Sequence, residues 1–153
     1  GLLTWAAFLL GYDAETPDTV RATCDWALSK KFAFSAFNIL MPYPGTPFYD
    51  RMKAEGRLRF GDAWWLHDDY RFGMTGMMPL HCTPEALEDA CDEARMRHSA
   101  PLQILRRAFD RKTHMKDLWS LATYFAYNPL FRREMLKKRQ MMLGYRGLER
   151  TPV

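Results

Sequence analysis

Features that would narrow a function at once are scarce in this chain. No apolar stretch approaches the roughly 20 residues that span a bilayer. The apolar opening, Gly1 to Gly11, is too short for that and has no basic leader, so it does not read as a signal peptide. Cysteine is limited to Cys24, Cys82 and Cys91. An odd number with no close pair argues against a disulfide framework and suits a reducing cytoplasm. A metal site finds little support either. His81-Cys82 is adjacent rather than spaced for chelation, and Cys91 falls mid-helix. Cys24 lies beside Val20, Ala27 and Leu28 on an apolar stripe, where it acts as a small hydrophobe. There is no internal repeat and no low-complexity segment.

What is present points to a folded α/β segment. The 153 residues are 48% hydrophobic and 14% aromatic, enough to bury a core and too apolar for disorder. Charge is uneven. Residues 1–110 hold 12 Lys/Arg against 15 Asp/Glu, and residues 111–153 hold 10 against 3. The body is therefore acidic and the tail basic. Such a tail suits an anionic membrane surface or an acidic partner, and equally a plain solvated helix face. Nucleic acid is a poor fit, because interleaved aromatics are sparse there.

Local signals divide the chain. Thr16-Pro17, Thr46-Pro47 and Thr83-Pro84 each read as a helix start: threonine caps the first amides, and proline at the next position loses no needed donor. The predicted order is a buried strand ending at Gly11, a helix from Pro17 to about Lys31, a strand over residues 33–40, and a short helix from Pro47 to Glu55. Trp5 and Phe8 suit a sheet interior. Residues 57–80, rich in Trp, Tyr, Phe and Met, read as a long excursion with short strand pieces. Leu87, Cys91, Ala94, His98, Leu102, Leu105 and Phe109 form a helical stripe, interrupted at Pro101, where Ser99 is placed to cap a second helix. Asn128-Pro129 predicts that one helix ends and a last one begins, running to about Leu143. Gly144 and Gly147 would stop it.

Two segments carry the functional signal. Ala7-Phe8-Leu9-Leu10-Gly11 reads as a strand emptying through a glycine into Tyr12-Asp13-Ala14-Glu15-Thr16. Met41-Pro42-Tyr43-Pro44-Gly45-Thr46-Pro47 empties the next strand into a stiff loop. In parallel α/β folds, ligands lie at such strand ends. An apolar wall ending in glycine suits a flat ring such as adenine, and the loop carbonyls suit the edge of a base or substrate. Neither segment pairs a nucleophile with a base.

These two segments, with Ala54-Glu55-Gly56-Arg57-Leu58, resemble the fifth and sixth strands of a radical S-adenosylmethionine barrel. The resemblance is greatest to the branch that often carries a cobalamin-binding domain upstream. It covers residues 1 to about 60, and Phe72, Pro79 and Thr83-Pro84-Glu85 fit that branch's C-terminal extension. It implies the C-terminal strands and helices of a partial TIM-like barrel (1–60), an aromatic-rich cover with a helical extension (61–110), and a basic helical tail (111–153). It also implies that Leu9 and Gly11 contact the adenosyl moiety of S-adenosylmethionine, with Glu15 at the motif's acidic position. Leu40, Met41 and Tyr43 would approach adenine. Ala7 replaces the family's usual glycine.

Asn38 joins this set, because an amide inside an apolar strand needs partners; pointing into the barrel, it would face cofactor or substrate. The three-cysteine motif that holds the family's 4Fe-4S cluster is absent from these residues. The resemblance places it on an earlier strand, so a missing N-terminal barrel half becomes the expected partner. S-adenosylmethionine, the cluster and, in this branch, cobalamin are the implied cofactors, with an apolar small molecule as substrate. The intact enzyme would generate a 5′-deoxyadenosyl radical.

Other residues read more plainly. His67-Asp68-Asp69 fits a solvated loop better than a cluster, and His98 a satisfied core histidine. Asp13 and Glu15 fit a turn as well as a ribose contact. Trp64, Trp65, Tyr70, Phe72, Met74, Met77 and Met78 suit core packing or the lining of a greasy pocket. The competing function is a non-catalytic α/β binding module whose basic C-terminal helices dock an anionic membrane surface or nucleic acid.

Overall fold

The computed structural model describes residues 2–138 and Met141. Strand β1 (Trp5–Leu10) is followed by α1 (Pro17–Ser29), β2 (Phe34–Ile39), α2 (Pro47–Ala54), a 3-10 turn at Trp64–Leu66, α3 (Pro84–His98), α4 (Pro101–Ala108) and α5 (Leu118–Lys138). β1 and β2 pair in parallel, with Trp5 opposite Phe34 and Leu10 opposite Ile39. Parallel neighbours need a crossover, and α1 provides it. Among the described residues the architecture is α/β, with a two-stranded parallel sheet and five α-helices.

The three Thr-Pro starts hold. Thr16, Thr46 and Thr83 each accept the backbone N–H three residues on, and proline takes the next position. Thr16 and Thr19 complete a reciprocal capping box.

Strand alternation gives the sheet two unlike faces. Phe8, Leu10, Phe37 and Ile39 turn toward α1 and α3 and join Val20, Cys24, Ala27, Leu87 and Cys91 in one core. Phe8 stacks on Phe37 at 5.0 Å. The opposite face carries Trp5, Ala7, Leu9, Phe34, Ala36 and Asn38. Near the strand starts α5 covers it, with Phe131 4.7 Å from Trp5 and 5.5 Å from Phe34. Near the strand ends Leu9 and Asn38 stay exposed. β1 is therefore buried on one face only, and Trp5 is 58% exposed on the face away from the core.

Two helix boundaries differ from the sequence expectation. Ser99 does not cap α4. It ends α3, where its hydroxyl donates to the Arg95 carbonyl at 2.8 Å, and Ala100 precedes α4 with no side-chain cap. Asn128-Pro129 starts no helix, because α5 runs through it. A proline inside a helix costs about 3 kcal/mol, and tertiary packing offsets that here. Tyr124 is fully buried, and its hydroxyl donates to the Ile104 carbonyl at 2.7 Å. The buried Asn128 amide donates to Tyr124 O at 2.9 Å and Ala33 O at 3.3 Å. The predicted end near Leu143, with Gly144 and Gly147, lies outside the described residues. Among the described residues, no helix is long and apolar enough to cross a membrane.

Candidate functional site at the strand ends

The C-terminal ends of β1 and β2 lie side by side, and the Leu40 N–H donates to Leu10 O at 2.7 Å to extend the pairing. Below this point the chain turns sharply at Gly11, whose φ of +105° lies in the left-handed region that glycine tolerates. A side chain there would meet Leu87 at 3.0 Å and Met77 at 3.3 Å. The open space at Gly11 thus serves packing against α3 and the excursion. The Glu15 carboxylate folds back to accept the Gly11 N–H and, at 2.8 Å, the Tyr12 N–H. It stabilises the turn itself.

Asp13 ties the same turn to the far side of the site. Its carboxylate meets Arg51 at 2.7 Å and Arg57 at 2.9 Å, and Arg57 also reaches Glu55 at 2.8 Å. The hydrogen bond from Arg57 is the main cause holding the Asp13 carboxyl below its ordinary range, with Arg51 adding to it.

The loop after β2 is built as a wall. Pro42 is buried, and its carbonyl accepts the Trp64 indole N–H at 2.8 Å. Tyr43 O accepts the Thr46 hydroxyl at 2.7 Å, while the Tyr43 ring stays exposed. The excursion closes over this loop. Trp64 and Tyr70 are buried 4.9 Å apart, and the lack of a side chain at Gly76 lets the backbone approach Met41 and Pro42. Arg59 pins the excursion to α3 through Glu88 at 2.6 Å and Glu85 at 2.8 Å; Glu88 also accepts the Thr75 N–H at 2.8 Å. Burial, the main cause, raises the Glu88 carboxyl even beside Arg59.

Between loop and excursion lies a cleft of about 420 Å³, with Asn38, Met41, Tyr43, Trp65, Phe72 and Met74 on its walls. The structure therefore brings Asn38, Met41 and Tyr43 together. Leu9 lies across the register from Asn38 on the same open face. Gly11 sits on the core side, Glu15 is engaged by the turn, and Leu40 is half-buried beside the loop. The excursion serves both roles read from its composition: Trp64, Tyr70 and Met77 pack as core, and Trp65, Phe72 and Met74 line the cleft.

Arg95 was not singled out from the sequence, where it resembles any charge in a helix's last turn. It reaches the cleft from α3, donating through Nε to Phe37 O at 2.7 Å and pairing with Asp92 at 2.7 Å.

The site's chemistry is that of an apolar wall with an amide. Among the described residues, no three His, Cys, Asp or Glu side chains converge to hold a metal ion. Burial pushes the Cys91 thiol up to about 12 and that of Cys24 up to about 11, so both stay protonated within the core. His67 sits exposed beside Asp69 on the excursion.

With this geometry established, comparison with known proteins gives two relatives. Both are methyl-transfer enzymes. Bacteriochlorophyllide d C-12(1)-methyltransferase of Chlorobaculum tepidum is 34% identical over 65 residues, 42% of this chain and 14% of that protein. Hopanoid C-2 methylase of Rhodopseudomonas palustris is 31% identical over 71 residues, 46% of this chain and 12% of that protein. The matched segment thus spans about one seventh or less of either relative. No protein-family model and no solved structure matches the chain. Each similarity covers less than half of this chain and is to a protein named for methyl transfer.

Proposed function

We propose that this chain is the C-terminal barrel segment of a radical S-adenosylmethionine methyltransferase. In this reading, the open sheet face at Leu9 packs the adenine, the Asn38 amide hydrogen-bonds cofactor or substrate, and the aromatic cleft shapes the substrate pocket. The observation that carries it is the uncovered end of the sheet face, on a chain whose relatives transfer methyl groups. A two-stranded sheet gains little stability alone. The strand edges add a second argument. The Phe34 N–H donates to Thr4 O and the Leu40 N–H to Leu10 O, so even-numbered β1 positions face β2. The peptide groups of Trp5, Ala7 and Leu9 therefore point to the opposite edge, where an upstream parallel strand would pair.

When bound, the cluster and S-adenosylmethionine supply the radical that abstracts hydrogen from an unreactive carbon. The residues described here fit the organic cofactor's flat apolar part and provide no ligands for the cluster, which the upstream half would hold. This chain's own contribution is to orient the ring, exclude water through Trp64, Tyr70 and Phe72, and hold the loop with Asp13, Arg51 and Arg57. Isothermal titration of the full-length protein with S-adenosylmethionine tests the reading. Leu9→Arg and Asn38→Leu should each weaken binding at least tenfold with the melting temperature unchanged. Unaltered affinity in both variants would overturn it.

A further inference from the structure

The outer face of α5 takes no part in the strand-end site. Spacings of three and four set Leu118, Ala122, Phe125 and Pro129 in one row along the helix, with Trp119, Ala126 and Leu130 beside it. All seven are exposed, Leu118 by 83% and Trp119 by 81%. The fold uses the opposite side: Tyr124 and Asn128 are buried there, and Phe131 packs on Trp5 and Phe34. No charged residue occurs from Leu118 to Phe131, so the helix carries apolar residues both toward the fold and away from it. A helix of that kind ordinarily has both sides covered, and a contiguous apolar face left open marks an interaction surface.

Cations bound this face at both ends. Arg133 follows Leu130 by three residues and Lys137 follows Arg133 by four, so both continue the open side of the helix. Arg111, Lys112 and Lys116 lie on the connection that leads into it. Residues 111–138 hold seven Lys/Arg against two acids, Asp117 and Glu134. Both acids are engaged. Asp117 accepts the Ser120 N–H at 2.7 Å, and Glu134 pairs with Lys137 at 3.4 Å. Arg111, Lys112, Lys116 and Arg133 are exposed and make no ion pair among the described residues.

Charge and length together select the occupant. A second copy of this face would set like charges against each other, and an uncharged partner would leave the cations without counter-ions. Single-stranded nucleic acid calls for aromatic rings among the cations, whereas here a charge-free run separates two basic ends. At 1.5 Å per residue that run is about 21 Å long, short of the roughly 30 Å hydrocarbon core of a bilayer. A helix with these proportions lies along a membrane rather than across it. Trp119 stands beside the basic connection, a position that suits an indole at headgroup level.

We infer that the outer face of α5 docks on an anionic membrane surface. Leu118, Trp119, Phe125 and Leu130 enter the boundary between headgroups and acyl chains, and the cations at either end meet acidic lipid headgroups. This inference does not rest on the methyl-transfer reading.

The test uses the full-length protein and vesicles of equal parts phosphatidylcholine and phosphatidylglycerol. Saturable binding is expected, at least tenfold weaker on pure phosphatidylcholine and at least tenfold weaker when salt rises from about 0.1 M to about 0.5 M. Leu118→Glu combined with Trp119→Glu, and separately Arg133→Glu combined with Lys137→Glu, should each lower affinity at least tenfold with the melting temperature retained. Leu66→Glu, an exposed apolar position on the 3-10 turn, should leave it unchanged. Brominated lipids should quench the parent's tryptophan fluorescence, and Trp119→Phe should still bind yet lose most of that quenching.

This pattern supports docking through α5. Absence of saturable binding to the anionic vesicles overturns the inference and assigns the face to another protein segment. Binding that survives in both double variants, or equal quenching in Trp119→Phe, also overturns it. So does an RNA oligomer that binds through Arg133 and Lys137 with affinity unaltered by the Leu118→Glu and Trp119→Glu pair, while the vesicles do not bind.

Discussion

The two faces of the sheet share the same strands, yet they reach opposite ends of the burial scale. Leu10 is 2% exposed and Leu9 is 52% exposed, one residue apart. The face toward α1 and α3 is closed by the chain's own helices, with Leu10, Phe37 and Ile39 under Val20, Leu87 and Cys91. The other face is filled by α5 only at its start, leaving Leu9 and Asn38 uncovered at the strand ends. Residues that hold this segment together and residues open to a ligand or another strand are thus separated by the two-residue period of a β-strand. Gly11 shows how the two become confused: it belongs to a motif associated with cofactor contact, yet its missing side chain is occupied by Leu87 and Met77.

This contrast can be broken by substitution. The largest effect is expected for Gly11→Val, which forces a branched residue into a positive φ and against Leu87. It should cost roughly 3–5 kcal/mol or prevent folding, read by chemical denaturation. It therefore reports on the closed face, and Leu9→Arg is the cleaner probe of the cofactor. Leu10→Ala should follow at about 2–4 kcal/mol, the cost of a core cavity.

A pH experiment sharpens the closed side near α4. His98 is buried against Arg107 Nη1 at 2.8 Å, and Arg107 also donates to Phe32 O and to the His98 carbonyl, each at 2.8 Å. Burial first, and then the Arg107 charge, lower the His98 pKa from 6.5 to about 3. The unfolded chain therefore binds the proton more readily, and this contribution to stability declines as pH falls from about 6.5 toward 3. The His114 pKa is lowered in the same direction by burial, whereas the raised Glu88 pKa acts oppositely, so the difference between proteins is the informative quantity. His98→Gln should show a shallower loss of stability than the parent over that window. Equal slopes in urea titrations at pH 7 and pH 4 would contradict the assignment.

Asp13→Asn should cost about 1 kcal/mol, because partly exposed ion pairs contribute little and Arg57 keeps Glu55. Leu9→Ala should cost less than about 0.5 kcal/mol, the smallest effect of the set. A cost near that of Leu10→Ala would mean that the open face is covered in the protein as it exists.

The elements themselves were legible in the sequence wherever local chemistry governed them. The three Thr-Pro starts, the strand before Gly11 and the helix ending near Gly56 follow from capping and from glycine or proline geometry. The burial of Cys24 and Cys91 follows from helical spacing. His98 as a satisfied core histidine was also legible, although its partner, nine positions away in a separate helix, was not. Asn38 was a candidate on chemical grounds, Met41 and Tyr43 through the family resemblance, and the structure gathers all three on one cleft.

Tertiary structure decided what depends on contacts distant in sequence. Asn128-Pro129 carries a local signal to start a helix, and only the burial of Tyr124 and Asn128 against α4 and the strand start overrides it. Arg95 gained its place because the Phe37 carbonyl, 58 residues away, faces α3. The sequence by itself determined where β1, β2 and α1 to α3 begin, because capping, turn geometry and side-chain periodicity act over a few residues. The fold determined which face is closed and where the cleft lies, because those follow from packing between segments that local rules do not connect.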